Sequence, residues 1–520
     1  MRPVKCITQL LPACTQRYRV WLQVMLICLC APSAAPGAEW KFGTSISASG
    51  TLTDNVNLAP PGQQQSDFIL GITPSIRADL DAARLKVHAS LAPTLYTYVQ
   101  NSQNDYLAGN LNAFASLEAA EKFFYIDASA LVGESYLNPF RSQPENGGSI
   151  TSNRIQTTTL GLSPYIKSTT SSGVSYLLRD DNTYSTSNYS GLANIYINNL
   201  TATIDGPTGR PLRLGADYNY NYTQFQNQPQ AFQLQLARLR ATHTFDPELS
   251  ATVDGGYETN DYGVTRYQGA IYGAGFDWKP SPITDLHANA EHRFFGPSYT
   301  LGFNNRTRLT ALNLYGSRGI QTYPQQLFIP AGNTQAVLDA IFRASIPDPI
   351  ERQKAVDNFL QQTGLPSSLA TPFTYYTNRI YVVEAWGGSF ALIGARNALT
   401  FSLGWFKNTA ITAGGQALPN ALNLANDFEG TTAGVAFNHQ LSALTSVTAS
   451  ASHNVTYNNN TNVAQLSSIS STQNTFLVTL SQQFSPKTSG TLGARYVRFH
   501  SNVASDYNEA ALIAGVLHTF

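Results

Sequence analysis

The stretch LRLGADYNYNY (212–222) splits into two unlike lists when every second residue is read. Leu212, Leu214, Ala216, Tyr218, Tyr220 and Tyr222 form an apolar row that ends in aromatic rings. Arg213, Gly215, Asp217, Asn219 and Asn221 form a charged and polar row that carries a glycine. Successive side chains of a strand point to opposite faces, so this ribbon has one greasy side and one hydrophilic side.

The same period of two recurs along the chain. Leu85, Val87, Ala89 and Leu91 alternate with Lys86, His88 and Ser90. Ala270, Tyr272, Ala274, Phe276 and Trp278 alternate with Ile271, Gly273, Gly275 and Asp277. Leu399, Phe401, Leu403 and Trp405 alternate with Thr400, Ser402 and Gly404, and the pattern returns around Phe476–Phe484. Regularity fails at Leu236–Arg238, where a bulge would explain it. A soluble sandwich alternates too, but three features favour a membrane barrel. Rings gather at strand ends, as they do at the two bilayer interfaces. The polar face mixes charge, amide and glycine, which suits a lumen. Short and long connections alternate, as periplasmic turns and outer loops do.

The short connections are 80–84, 118–122, 167–173, 205–211, 246–249, 279–285, 304–307, 394–397, 440–444 and 485–489. The long ones include 55–67, 138–153, 408–423 and 458–471. Strands placed between these breaks predict an all-β, antiparallel transmembrane barrel of about 22 strands, within a range of roughly 16–24. An even count puts both chain ends on the periplasmic side. One region, 321–372, departs from alternation. Thr334 can cap a helix through Ala344, and Asp348, Pro349 and Glu351 open a second that Gly364 and Pro366 end, so a short helical insertion is expected in one outer loop.

Composition agrees with strands. Charged residues are 12% of the 520, against a usual value of roughly 25%, with 27 Tyr, 26 Phe and only 2 Met. Residues 1–38 have the order of an export signal: Arg2, Lys5, Arg17 and Arg19, then the apolar run VWLQVMLICLCA (20–31), then small residues to Ala38. About 12 apolar residues are few for a membrane span. The expected mature chain is therefore 39–520. Its four lost cations leave 28 Lys+Arg against 32 Asp+Glu, a net −4 that points away from nucleic acid. Cys6, Cys14, Cys28 and Cys30 all lie in the signal, so no disulfide framework is expected. The chain closes on GVLHTF; Gly515, Val516 and the final Phe520 suit the signal read by the barrel-assembly machinery, and His518 departs from it.

The start of the mature chain resembles a known family. Trp40, the TDNVNL run (53–58) and GITPS (71–75) are similar to the outer-membrane barrel proteins of porin type associated with the exosortase, or PEP-CTERM, system. HRFFGPSY (292–299) and ERQKAVDNFLQQTGLP (351–366) share the resemblance. It implies an outer-membrane barrel from bacteria whose exopolysaccharide gene clusters include a sorting system. It implies no particular activity and carries over no functional residue.

Candidate sites follow from phase. Arg84, Lys86, Arg213, Asp217 and Arg495 fall on the lumenal phase, where they either brace the wall through ion pairs or select solutes as rings of charge do. Tyr96, Phe406 and Phe499 add aromatic surface on the inside. His287, Glu291 and His292 have the residue types of a metal site but not its spacing: on a strand His287 and Glu291 share a face and His292 points away, so no metal is expected. Arg179-Asp180-Asp181 and Glu291-His292-Arg293 lack a nucleophile with a matched base, so neither an enzyme nor a cofactor is expected. The expected function is an outer-membrane pore or export-associated channel linked to exopolysaccharide or surface-protein sorting. Its partners would be outer-membrane lipid, the assembly machinery, and a polysaccharide or exported surface protein. The alternative is a non-conducting barrel that anchors surface polymer. A receptor with an amino-terminal plug is not expected, because the first strand begins near residue 40.

Overall fold

A computed structural model describes residues 40–144, 148–226, 231–261, 266–321, 325–328, 373–376, 380–411, 427–458 and 469–520. The proposed signal and the two helices expected within 321–372 lie outside the described residues. The described residues form 26 strand segments. Leu85–Leu91 runs on into Thr94–Tyr98, and Tyr106–Ala108 into Leu111–Ala120. Each pair holds one register against its neighbours and counts as one wall strand. The first break falls at Ala92-Pro93, where proline has no N–H to donate to the ladder. Among the described residues Gln325–Phe328 and Phe373–Tyr376 pair only with each other, antiparallel, apart from one backbone bridge to Tyr136. The remaining 22 strands form the wall, each antiparallel to the next.

The wall closes on itself. Trp40–Thr53 pairs with Asp67–Asp81 on one side and with the last strand, Tyr507–Thr519, on the other, from Ser45↔Thr519 to Thr53↔Ala511. Closure removes the edges that a bilayer could not hydrogen-bond. Both ends of the wall, Trp40 and Thr519, lie at the short-turn side. The ten short turns stand where the breaks in alternation put them, and several are made by one side chain. Asp246 Oδ1 accepts the Glu248 and Leu249 N–H groups at 2.8 Å, and Thr307 Oγ1 accepts Thr310 N at 3.0 Å. Five register shifts occur, after Glu118, Thr244, Trp278, Gln440 and Gln483, all at this end.

The bulge expected at Leu236–Arg238 is absent. Phe232–Asp246 keeps its register there, and Leu234 and Leu236 share the inward phase of Arg238 and Arg240. The pattern fails in sequence because the upper inward face is apolar: Leu234 packs against a buried cluster.

Outside, the apolar belt is continuous. Leu214 is 63% exposed and Leu239 70%, with Leu162, Val253, Leu403, Val478 and Leu512 in the same class around the wall. A soluble protein does not leave so large an apolar surface in water; here hydrocarbon is the solvent. Trp40 stacks on Phe42 at 5.8 Å near the periplasmic end, and Phe484 and Phe520 stand exposed there. Tyr184, Tyr196, Tyr299 and Trp386 lie toward the outer ends of their strands, so rings bound the belt on both sides.

Candidate functional site: the lumenal wall and its outer closure

The opening ribbon, now strand Leu212–Phe225, has its tyrosines on the lipid side and Asp217 on the lumenal side, 8% exposed. Asp217 stands opposite Arg238 in register. Its carboxylate accepts Arg240 Nε at 2.6 Å and Nη2 at 2.9 Å and lies 3.3 Å from Arg238. Arg240 also donates to Asp205 at 3.1 Å, and Arg238 to Glu291 at 2.9 Å. Arg293 lies 3.7 Å from Glu291 and donates to the fully buried Glu258 at 2.7 Å. Glu258 accepts Phe294 N as well, at 2.7 Å.

A chain of alternating charge thus crosses the wall from Ile195–Asp205 to Thr284–Arg293. Charge-assisted bonds of this kind hold only when nearly every lone pair is met. Gly215 makes the space: a Cβ there would stand 2.7 Å from Asp205 Oδ1 and 3.2 Å from Arg240 Nη2. The glycine thins the wall where two strands of charge meet.

The five lumen-phase candidates do not form one constellation. Arg84 sits in a periplasmic turn, paired with Glu121 at 3.0 Å and more than half exposed. Lys86 lies 3.7 Å from Asp81 near the same end. Arg213 shares the face of Asp217 and has no ion pair among the described residues. Arg495 is buried far round the wall, donating at 2.8 Å to Glu509, which also accepts the Thr53 hydroxyl at 2.9 Å. Tyr96, Phe406 and Phe499 face inward but are packed into apolar clusters. His292 stacks on Tyr272 at 5.1 Å, on the opposite face from Glu291. Arg238, Arg240, Glu258 and Arg293 are members that phase reading missed. Their signal was the pair Arg238/Arg240, two residues apart on one face.

The second part of the site closes the outer end. Pairing between Leu111–Ala120 and Phe124–Tyr136 stops at Leu111↔Val132. Above that point the hairpin built by Phe124–Tyr136 and Arg154–Thr169 leaves the wall, and the described parts of its connection, 137–144 and 148–153, lie across the outer end of the lumen. Phe140, 0% exposed, packs among Tyr381, Phe406, Phe428 and Ile469. Phe124–Tyr136 and Asn397–Ala410 are the fifth and seventeenth of the 22 wall strands, so the contact spans the barrel. Ile380, also 0% exposed, belongs to a second buried cluster with Leu137, Ile195, Phe225 and Phe232.

Polar contacts fix the crossing segment. The Asn153 amide donates to the Asn138 and Ser142 carbonyls at 3.0 and 3.2 Å, and Phe140 N donates to Asn138 Oδ1 at 2.8 Å. Tyr98 donates to Gly148 O at 2.7 Å, Gln473 to Gln143 O at 3.0 Å and Ser501 to Phe140 O at 3.2 Å. Arg154, stacked over Tyr106 at 5.5 Å, donates to Ser149 O at 3.1 Å.

No family model matches the chain, and no curated protein matches it in sequence. Solved structures match it in shape. The FrpB iron transporter from Neisseria meningitidis (F3-3 variant) is 8% identical with a TM-score of 0.50, over 92% of this chain and 82% of that one. The siderophore receptor PirA from Pseudomonas aeruginosa is 10% identical with a TM-score of 0.45, over 92% and 80%. The outer membrane protein opdK from Pseudomonas aeruginosa is 7% identical with a TM-score of 0.35, over 92% and 99%. At these identities the likeness is one of fold. With its closed 22-strand wall and lipid-facing belt, this chain is a bacterial outer-membrane β-barrel.

Proposed function

We propose that the barrel is a gated outer-membrane conduit whose outer mouth is held shut by residues 137–144 and 148–153. The observation that carries this reading is Phe140, seated on the wall opposite the hairpin that bears it. A barrel meant only to fill a lipid surface has no need of a charged, hydrogen-bonded inner wall beneath such a closure. The resemblance of the mature chain to exosortase-associated barrels suggests the cargo class, exopolysaccharide or a sorted surface protein, and that assignment rests on the resemblance. On the same reading the protein is no enzyme, its solvent is outer-membrane lipid, and the residues Gly515, Val516 and Phe520 engage the assembly machinery.

The test is conductance in planar bilayers. Replacing 139–150 by a short Gly-Ser link removes the Phe140 contact and leaves the wall strands intact. The expected result is a small or intermittent current from the intact chain and a large steady one from the variant. A variant as silent as the parent rejects the conduit and favours the second reading, a closed anchoring barrel, which the apolar seal itself also supports.

A further inference from the structure

A cleft of about 650 Å³ lies at the outer end, between the first outer connection, the crossing segment and the last outer connection. Its polar lining includes Asn57, Arg141, Ser142, Ser152, Asn502 and Ser505, and no aspartate or glutamate among the described residues lines it. Arg141 is exposed, and its guanidinium has no acidic partner among the described residues. The hydroxyls of Ser142, Ser152 and Ser505 have no hydrogen-bond partner there either. A lone cation that shares the cleft with free hydroxyls, with no competing carboxylate among the described residues, is complementary to one negative charge and several hydroxyl groups.

The cleft is preorganised rather than a gap between loose loops. Ile150 N donates to Val56 O at 2.8 Å and so ties the crossing segment to the first connection. Ser501 Oγ donates to Phe140 O at 3.2 Å and accepts Val503 N at 3.2 Å, which ties it to the last. Leu58, beside Asn57, holds a left-handed φ of 52°, and its buried side chain is pinned among Val497, Phe499 and Tyr507. Such strain in a non-glycine residue persists only where the surroundings fix it, and it clusters at ligand clamps. The Asn57 amide oxygen is buried without a partner in the same wall.

We propose that this cleft is an outer-face binding site for a sugar acid, with Arg141 receiving the carboxylate and the serines the ring hydroxyls. The ligand chemistry is shared by a free sugar acid and by an acidic residue of a polysaccharide chain. The proposal does not require the lumen to conduct.

The test is titration calorimetry on the full chain folded in detergent, with D-galacturonate, its linear trimer, D-galactose and acetate. D-galacturonate is expected to bind one per chain. Galactose, which lacks the charge, and acetate, which lacks the hydroxyls, are each expected to bind at least tenfold more weakly. Tighter binding of the trimer assigns the site to a polysaccharide, and equal binding to the free acid. Arg141→Ala is expected to weaken galacturonate about tenfold or more, the loss of one charge-assisted contact. Ser152→Val, a milder change, is expected to weaken it severalfold, and Arg84→Ala on the periplasmic turn to leave it unchanged. Absence of galacturonate binding, equal binding of acetate, or indifference to both Arg141→Ala and Ser152→Val would overturn the proposal.

Discussion

Asp217 and Asp180 lie two strands apart on one wall and face different media. Asp217 points into the lumen and is met by two guanidinium groups. Asp180 has the opposite phase. Its strand neighbours on that face are Leu178 and Asn182, and it stands opposite Leu200, midway between Tyr176 and Tyr184. Only neutral amides meet it: Asn198 Nδ2 at 2.5 Å and Asn182 Nδ2 at 2.9 Å, with Tyr196 donating to Asn182 Oδ1 at 2.6 Å. No cation pairs with it among the described residues. The same carboxylate therefore braces the barrel on one side and burdens it on the other. On the lumenal side its charge is matched inside the fold. On the lipid side the amides satisfy its lone pairs and leave its charge uncompensated.

The largest effect should come from breaking the matched side. Asp217→Ala leaves Arg238 and Arg240 facing each other with one carboxylate fewer in a largely buried network. The expected loss is about 3 kcal/mol of folding stability, measured by guanidinium unfolding in phospholipid vesicles. A loss below about 1 kcal/mol, the worth of an exposed pair, would show that the ladder is solvated. Gly215→Val tests the same ladder by crowding it, since even a Cβ meets Asp205 and Arg240. The expected cost is about 2 kcal/mol. An unchanged midpoint would mean that both side chains move aside freely.

The comparison also shows what the sequence could disclose. The ten short turns were legible because Asp, Ser, Thr and Pro mark them locally. The phase of Asp217 was legible because strand Leu212–Phe225 alternates without a break. The ladder was not, because it depends on register between strands that sequence does not supply: Arg238 matters only because it stands opposite Asp217. Arg84 was placed on the wall by carrying the phase one residue beyond the strand start at Leu85, into the turn. Segment 137–153 is polar in composition and reads as a surface loop. Its one aromatic residue, Phe140, finds its pocket on strands more than 240 residues later. Leu234 and Leu236 broke the pattern for the same reason. Inward no longer means wet once a distant segment covers the wall.

A smaller effect of opposite sign is expected on the lipid side. Asp180→Leu removes a charge from the hydrocarbon belt and should stabilise the barrel by about 1 kcal/mol, less than the cost of a lipid-facing Arg or Lys at midplane. Asp180→Asn separates the charge from the hydrogen bonds, because it keeps an acceptor for Asn198. If Asn stabilises as much as Leu, charge is the burden. If both variants destabilise, the lipid-side aspartate is a brace after all, and the contrast with Asp217 fails.

The smallest effect belongs to a third aspartate, in water. Asp506, in the last outer connection, accepts Ser501 N at 2.9 Å and His500 Nδ1 at 2.6 Å. The backbone N–H of Ser501, and then His500, hold its carboxyl below the usual carboxylate value of 3.8. A folded-state value below the unfolded one means that its contribution is complete above about pH 4 and fades as the pH falls through the lowered value. Being exposed, the group changes local order rather than global stability. The expected outcome is that the Ser501 amide loses protection from hydrogen exchange when the pH drops from 5 to about 3, while amides in the middle of Thr488–Ser501 keep theirs. In Asp506→Asn, which retains an acceptor without the charge, the protection factor at Ser501 should start lower and stay flat over that range. A variant that tracks the parent would mean that the carboxylate does not govern this turn. Asp217 and Asp180 would then be the only two of the three aspartates whose surroundings decide what their charge does.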